Sequence, residues 1–124
     1  MKVLLADDSD YVRASLTKML SENDRISCVF EAETIRKAKE LLCSEKPDAM
    51  ILDLSFPEGS GFEVLKYARE NQCVRVVIIL TNYPNDPMRN KCMKDGADYF
   101  FDKSNEFIKA IDVINKLTDS GLSL

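Results

Sequence analysis

The sequence predicts an α/β fold, a five-stranded parallel sheet wound on both faces by helices. Two observations carry this expectation. Five short apolar runs recur along the chain, each followed by a segment with helical spacing, which is the pattern of βαβ units. The runs are apolar almost throughout, as strands covered on both faces are. A chain of 124 residues, 45% hydrophobic and 31% charged, suits one such domain around one core.

The first strand is expected over 2–6, KVLLA. From Tyr11 to Leu20 the apolar residues Tyr11, Val12, Leu16, Met19 and Leu20 recur at helical spacing, with Ser9 or, preferably, Asp10 as the cap. ISCVFE (26–31) is β-branched and aromatic and reads as the second strand. A helix opens at Thr34 and runs to about Glu45, with Ile35, Ala38, Leu41 and Leu42 on one face and Pro47 ending it. DAMILDL (48–54) is the third strand, and the turn-rich SFPEGSG follows it. A helix near Phe62–Asn71 turns Phe62, Leu65 and Ala68 inward.

VRVVIILT (74–81) is the most apolar run and reads as a central strand. After the loop NYPNDP, Pro87 suits the first turn of a fourth helix that stops at Gly96. DYFF (98–101) is the last strand. Ser104 or Asn105 is expected to cap a final helix carrying Phe107, Ile108, Ile111, Ile114 and Leu117.

Composition removes several function classes. Seventeen basic against 21 acidic residues give a net charge of −4, unfavourable for a direct grip on nucleic-acid phosphates. Cys28, Cys43, Cys73 and Cys92 form no C-x-x-C pair, so reduced thiols are expected rather than disulfides or a zinc site. The start MKVLLADDSD does not read as a signal peptide, and no apolar run reaches membrane-spanning length, so a cytoplasmic location away from membranes is expected. There is no histidine. That excludes Ser-His-Asp and Cys-His catalysis, H-E-x-x-H metal chemistry and any role as the histidine-bearing member of a phosphotransfer pair.

The polar residues gather at strand ends. The first strand ends in Asp7 and Asp8, the third in Asp53, the fourth in Thr81, and the loop after the fifth holds Lys103. In doubly wound sheets, ligands sit at the carboxyl ends of strands. If these strands are neighbours, three carboxylates, one hydroxyl and one ammonium converge. Three close carboxylates raise one another's pKa, and a hard divalent cation such as Mg²⁺ relieves that. Lys103 and Thr81 suit phosphate oxygens, so the set reads as a phosphoryl site with one carboxylate free to act as nucleophile. Singly, each residue is explained as a cap or turn former; the full set on separate strand ends is not. The basic stretch RKAKE (36–40) reads as a solvated helix face, and the cysteines and aromatics mostly as core.

LLADDSDYVRASL, PDAMILDLSFPEGSGFEVL, VVIILT and GADYFFDKS together resemble the receiver domain of bacterial two-component response regulators, over roughly residues 2–118. The resemblance implies a flavodoxin-like (βα)5 sandwich with sheet order 2-1-3-4-5. It implies a receiver domain over 1–120, with 121–124 a tail or the start of a linker. Asp53 is then the phospho-acceptor, supplied by a histidine kinase or phosphotransfer protein. Asp8 is the direct Mg²⁺ ligand, Asp7 acts through water or orients the metal, and the Ser55 backbone carbonyl completes the site. Thr81 and Lys103 contact the phosphoryl group. Phe100 is the switch aromatic, turning inward as Thr81 moves. The face built by the fourth helix, fifth strand and fifth helix is read by a downstream protein, a fused output domain or a second copy in a homodimer. The chemistry is self-phosphorylation and self-dephosphorylation rather than enzymatic turnover.

The sequence also departs from the family pattern. Ser104 stands where the family very often has proline with a cis bond. A cis bond before a non-proline residue costs about 2.5–4 kcal/mol, so Lys103–Ser104 is expected to be trans or strained. Asn82 is bulkier than usual beside the phosphoryl site. Ser55 and Tyr83 flank it and tune water attack. Phe100 lacks the hydroxyl of a tyrosine. Two other readings compete. A pseudo-receiver would keep the fold without the chemistry. A Mg²⁺-dependent aspartyl-phosphate hydrolase needs a second acid two residues past the nucleophile, where this chain has Ser55. A flavin carrier is disfavoured because ADDSD repels phosphate unless a cation intervenes.

Overall fold

A computed structural model describes residues 1–82 and 84–119. Tyr83 and the segment 120–124 lie outside the described residues, and with them the expectations placed on Tyr83 and on a linker. The elements run β1 (Lys2–Ala6), α1 (Asp10–Leu20), β2 (Cys28–Ala32), α2 (Ile35–Glu45), β3 (Ala49–Leu52), α3 (Gly61–Glu70), β4 (Val76–Thr81), α4 (Asp86–Lys94), β5 (Tyr99–Asp102) and α5 (Phe107–Asp119). The five strands form one parallel sheet in the order β2-β1-β3-β4-β5, the doubly wound order that was expected. Within SFPEGSG, Ser55–Phe56 pairs antiparallel with Gly59–Ser60 to make a small hairpin.

Strand side chains alternate between two apolar layers. Leu4, Met50, Leu52 and Ile79 face α2, α3 and α4, where Leu42, Leu65 and Cys92 meet them. Val3, Leu5, Ile51, Ile78 and Leu80 face α1 and α5, packing on Leu16, Leu20, Ala110 and Ile114. Both faces of the central strands are thereby dry, which is why residues 3–6, 49–52 and 76–80 include no polar side chain. The strand order reverses between β1 and β3. Asp7 follows the last residue of β1 and Asp53 the last residue of β3, on either side of that switch point.

Capping follows side-chain chemistry closely. Ser9, not Asp10, is the N-cap of α1, its Oγ accepting from the Val12 N–H at 3.2 Å. Asp10 lies one residue further on, in the first turn, and pairs with Arg13 instead. Thr34 caps α2 and Asn85 caps α4, with Pro87 in the first turn. Helix α2 ends at Lys46 in the left-handed region, and α4 is followed by Gly96 at φ +111°. Ser104 and Asn105 do not cap α5; they form a turn held by Asp102, whose Oδ1 accepts from Ser104 N at 2.9 Å and Oδ2 from Asn105 Nδ2 at 2.9 Å. No cis peptide bond occurs among the described residues, so Lys103–Ser104 is trans. Of the cysteines, Cys73 and Cys92 are buried as expected, but Cys28 and Cys43 are exposed; all four are free thiols. Tyr11 is likewise exposed rather than core.

Arg69 staples the end of the molecule opposite the acids. It sits in the last turn of α3, where a cation suits the helix dipole. Its Nε donates to Gly96 O at 2.8 Å, Nη1 to Val74 O at 2.9 Å, and Nη2 pairs with Asp98 at 2.8 Å. Arg69→Met is expected to lower unfolding stability by about 2 kcal/mol, because hydrogen bonds to a charged group are lost and carbonyls are left unpaired. Urea denaturation with an unchanged slope checks it.

Glu106 organises the start of α5. Its Oε1 accepts from Asp102 N at 2.9 Å and Oε2 from Lys109 Nζ at 2.9 Å. The Asp102 backbone hydrogen bond, followed by that from Lys109, holds the carboxyl below the usual glutamate range. A depressed acid stabilises the fold above its unfolded value, and loses that contribution as pH falls through the folded one. The stability gap between wild type and Glu106→Gln is therefore expected to be full at neutral pH and to close on acidification below about pH 4. Denaturation series at neutral and acidic pH measure that gap.

Candidate functional site

The switch point places acids where backbone pairing stops. Asp7 N still bonds Ala32 O at 3.0 Å and Asp53 N bonds Ala6 O at 2.9 Å, so the ladder carries both aspartates one residue past their strands. Their side chains then meet. Asp7, Asp8 and Asp53 each offer a carboxylate oxygen within 4.8 Å of the others. Asp7 is 4% exposed and Asp53 5%, while Asp8 is exposed to solvent. Lys103 Nζ bridges the two buried acids, at 2.6 Å from Asp7 Oδ2 and 3.1 Å from Asp53 Oδ2, with its own side chain 8% exposed.

The remaining oxygens are fixed locally. Asp7 Oδ1 accepts from Ser9 N at 2.8 Å, an Asx turn that starts the approach to α1. Asp53 Oδ1 accepts from Leu54 N at 2.8 Å. Burial raises the Asp53 pKa above the ordinary carboxylate value; the Lys103 charge opposes this and the Asp7 charge adds to it. Burial by itself lowers Lys103, but its hydrogen bond to Asp7 and the charges of Asp53 and Asp7 outweigh that and raise it. Lys103 therefore stays an ammonium.

Thr81, 1% exposed, ends β4 and is in register with Asp102 of β5; its carbonyl accepts from Lys103 N at 2.8 Å. That bond sets Lys103 at the mouth of the acidic cluster. Ser55 lies two residues past Asp53 in the hairpin, where its backbone N–H acts to lower the Asp53 pKa. Asn82 is exposed next to Thr81. Phe100 is buried in the layer shared by α2, α3 and α4. The Arg89 guanidinium lies 5.1 Å from its ring centre and donates to its carbonyl at 3.2 Å.

Three residues outside the sequence-level set hold this geometry. Gly61 N bonds Leu54 O at 2.8 Å, bringing α3 against the Asp53–Leu54 peptide. A Cβ on Gly61 would lie 2.1 Å from Asp53 O. Glu58 reaches from the hairpin to the start of α2, its Oε1 accepting from Ile35 N at 2.7 Å. Arg13 donates to Asp7 O at 3.2 Å. The EGSG turn before an apolar helix hinted at a close approach by Gly61; nothing local marked Glu58 or Arg13.

Charge and donor chemistry fit a hard cation. Three carboxylates lie together, one ammonium bridges two of them, and every ligand atom on offer is oxygen. Among the described residues, Asp7, Asp8 and Asp53 are the group that could hold a metal ion.

Comparison with known proteins agrees with this arrangement. The pattern described as Response regulator receiver domain matches residues 3–115. The chain is 35% identical over 96 residues to the transcriptional regulatory protein YdfI of Bacillus subtilis, a match covering 77% of this chain and 45% of that protein. It is 32% identical over 122 residues to the response regulator GacA of Pseudomonas syringae, covering 92% and 55%. The chain thus spans about half the length of these relatives. Among solved structures, the signal receiver domain of a LuxO repressor protein of Vibrio parahaemolyticus superposes with a TM-score of 0.84 at 28% identity, covering 98% of this chain and 92% of that one. The chain belongs to the response regulator receiver domain family.

Proposed function

We propose that this domain is a phosphorylation-dependent switch in which Asp53 takes a phosphoryl group from the phosphohistidine of a histidine kinase or phosphotransfer protein. The observation that carries the reading is the Lys103 ammonium bridging Asp7 and Asp53, with Asp8 alongside. An Asp53 carboxylate oxygen attacks phosphorus, a P–O bond forms as the donor's P–N bond breaks, and the leaving imidazole takes up a proton. Asp7, Asp8, Asp53 and the Ser55 carbonyl would hold a Mg²⁺ ion, which would supply neutralising charge to the pocket. Lys103 exchanges its contact with Asp53 for a phosphoryl oxygen, and the Thr81 hydroxyl donates to another. Water then reverses the modification, past Ser55 and Asn82.

The added charge and acceptor oxygens draw Thr81 and Lys103 inward, and Phe100 and Arg89 lie directly along β5 and α4 from them. The surface of α4, β5 and α5 is where a partner would read the change. Relatives named as transcriptional regulators support a fused output domain as one such reader, and a second copy of the domain is another. The test is incubation with acetyl phosphate and Mg²⁺, followed by intact mass. One phosphoryl group is expected on the wild type and none after chelation of the metal; uptake undiminished by chelation would sink the reading. An unlabelled wild type that also fails to bind millimolar Mg²⁺ would favour the pseudo-receiver.

A further inference from the structure

Arg13 breaks a local rule. It lies in the first turn of α1, where the helix dipole disfavours a cation, and its side chain is only 8% exposed. Rules broken at one position are characteristic of functional sites. Its partners explain its retention. Nε donates to Glu31 of β2 at 3.3 Å, Nη2 pairs with Asp10, and Nη1 donates to the backbone oxygen of Asp7 at 3.2 Å.

The Asp7 peptide is thereby held from both sides. Its N–H goes to Ala32 O on β2 at 3.0 Å, and its carbonyl goes to Arg13. With the carbonyl committed, only the carboxylate of Asp7 is left to face Lys103 and Asp8. Arg13 N also bonds Ser9 O at 3.1 Å, the first bond of α1, so the side chain that holds Asp7 O is anchored by the start of the helix. A planar guanidinium spans two elements and a backbone oxygen at once; a lysine has no such fork.

We infer that Arg13 is a positioning residue for the acidic pocket, clamping the Asp7 carbonyl so that the Asp7 and Asp8 carboxylates are preset for a divalent cation. This inference rests on the reading of the pocket as a Mg²⁺ site. Charge and positioning make opposite forecasts, which renders the idea testable. If Arg13 acted only as a nearby positive charge, its removal would tighten cation binding. If it sets the loop, removal weakens binding, and partners of metal ligands of this kind typically cost about 10–100-fold in affinity when lost.

The experiment is Mg²⁺ titration by calorimetry on wild type, Arg13→Met and Arg69→Met, each confirmed folded by circular dichroism. Arg69→Met serves as a variant with a fold defect at the opposite end of the strands. Arg13→Met is expected to weaken Mg²⁺ about tenfold, and Arg69→Met to leave it unchanged. Affinity in Arg13→Met equal to or tighter than wild type overturns the inference, as does equal weakening in Arg69→Met. Should Arg13→Met not fold, Arg13→Lys keeps the buried charge without the fork and is judged by the same criterion. A wild type without saturable Mg²⁺ binding overturns the pocket reading itself and the inference with it, a result distinct from binding that is indifferent to Arg13.

Discussion

Asp53→Asn takes up no phosphoryl group from acetyl phosphate and Mg²⁺ while remaining folded: this is the largest functional effect expected of a single substitution here. An amide lacks the anionic oxygen that attacks phosphorus, so the loss is of the reacting atom rather than of its surroundings. The same substitution keeps one contact of Asp53 and gives up another, the bond that its Oδ2 accepts from Lys103 Nζ at 3.1 Å. Asn offers an Oδ1 of the same shape to Leu54 N, which Asp53 now accepts at 2.8 Å. The burial cost has a definite sign. The Asp53 pKa is raised, chiefly by burial, so ionising it costs the folded state more than the unfolded one. Above the unfolded carboxyl value that cost is present, and below it the cost vanishes. Relief of that cost offsets the lost Lys103 contact, so the neutral amide is expected to melt close to wild type at neutral pH. Intact mass and a thermal melt on the same sample measure both outcomes. Equal labelling of wild type and variant would remove Asp53 from its role; a large drop in melting temperature would contradict the burial argument.

The largest structural effect is expected at Gly61. Its added Cβ would lie 2.1 Å from Asp53 O, 2.8 Å from Leu54 Cα and 3.0 Å from Asp53 C. All three neighbours are backbone, so no side chain can turn aside to make room. Overpacking of this kind costs about 3 kcal/mol at the upper end of its ordinary range. Gly61→Ala must either push α3 away, breaking the Gly61 N to Leu54 O bond of 2.8 Å, or displace the Asp53 peptide itself. The variant is expected to lose about that much unfolding stability in urea and to label more slowly than wild type. Wild-type stability and labelling in Gly61→Ala would mean that the α3 junction yields freely. The glycine is required here by close approach, not by a left-handed backbone.

Much of the fold was legible because the signals are local and redundant. Continuous apolar runs such as VVIIL mark a strand buried on both faces, and Thr34 and Pro87 mark helix starts by side-chain chemistry that acts within one turn. Misplacements came where two residues compete for one role. Ser9 and Asp10 both suit an N-cap, and Asp10 was drawn off by Arg13, a partner whose position depends on Glu31 from β2. Ser104 and Asn105 suit a cap, but Asp102 engages both in a turn and Glu106 takes its place before α5. Cys28 and Cys43 read as core by residue type, yet β2 is an edge strand and Cys43 lies on the outer side of α2.

By itself, the sequence determined the alternation of strands and helices, the acids and the lysine at strand ends, and the absence of any histidine to act as phosphoryl donor. These are properties of composition and of spacing over a few residues. Spacing alone does not order the strands; the family resemblance implies the order, and the tertiary structure makes β1 and β3 neighbours. That pairing turns Asp7 and Asp53, 46 positions apart in number, into two ends of one Lys103 bridge. It also decided that Arg13 and Gly61 matter to the pocket. Their importance lies in contacts with backbone atoms, Asp7 O and Asp53 O, and backbone atoms are the same in every sequence.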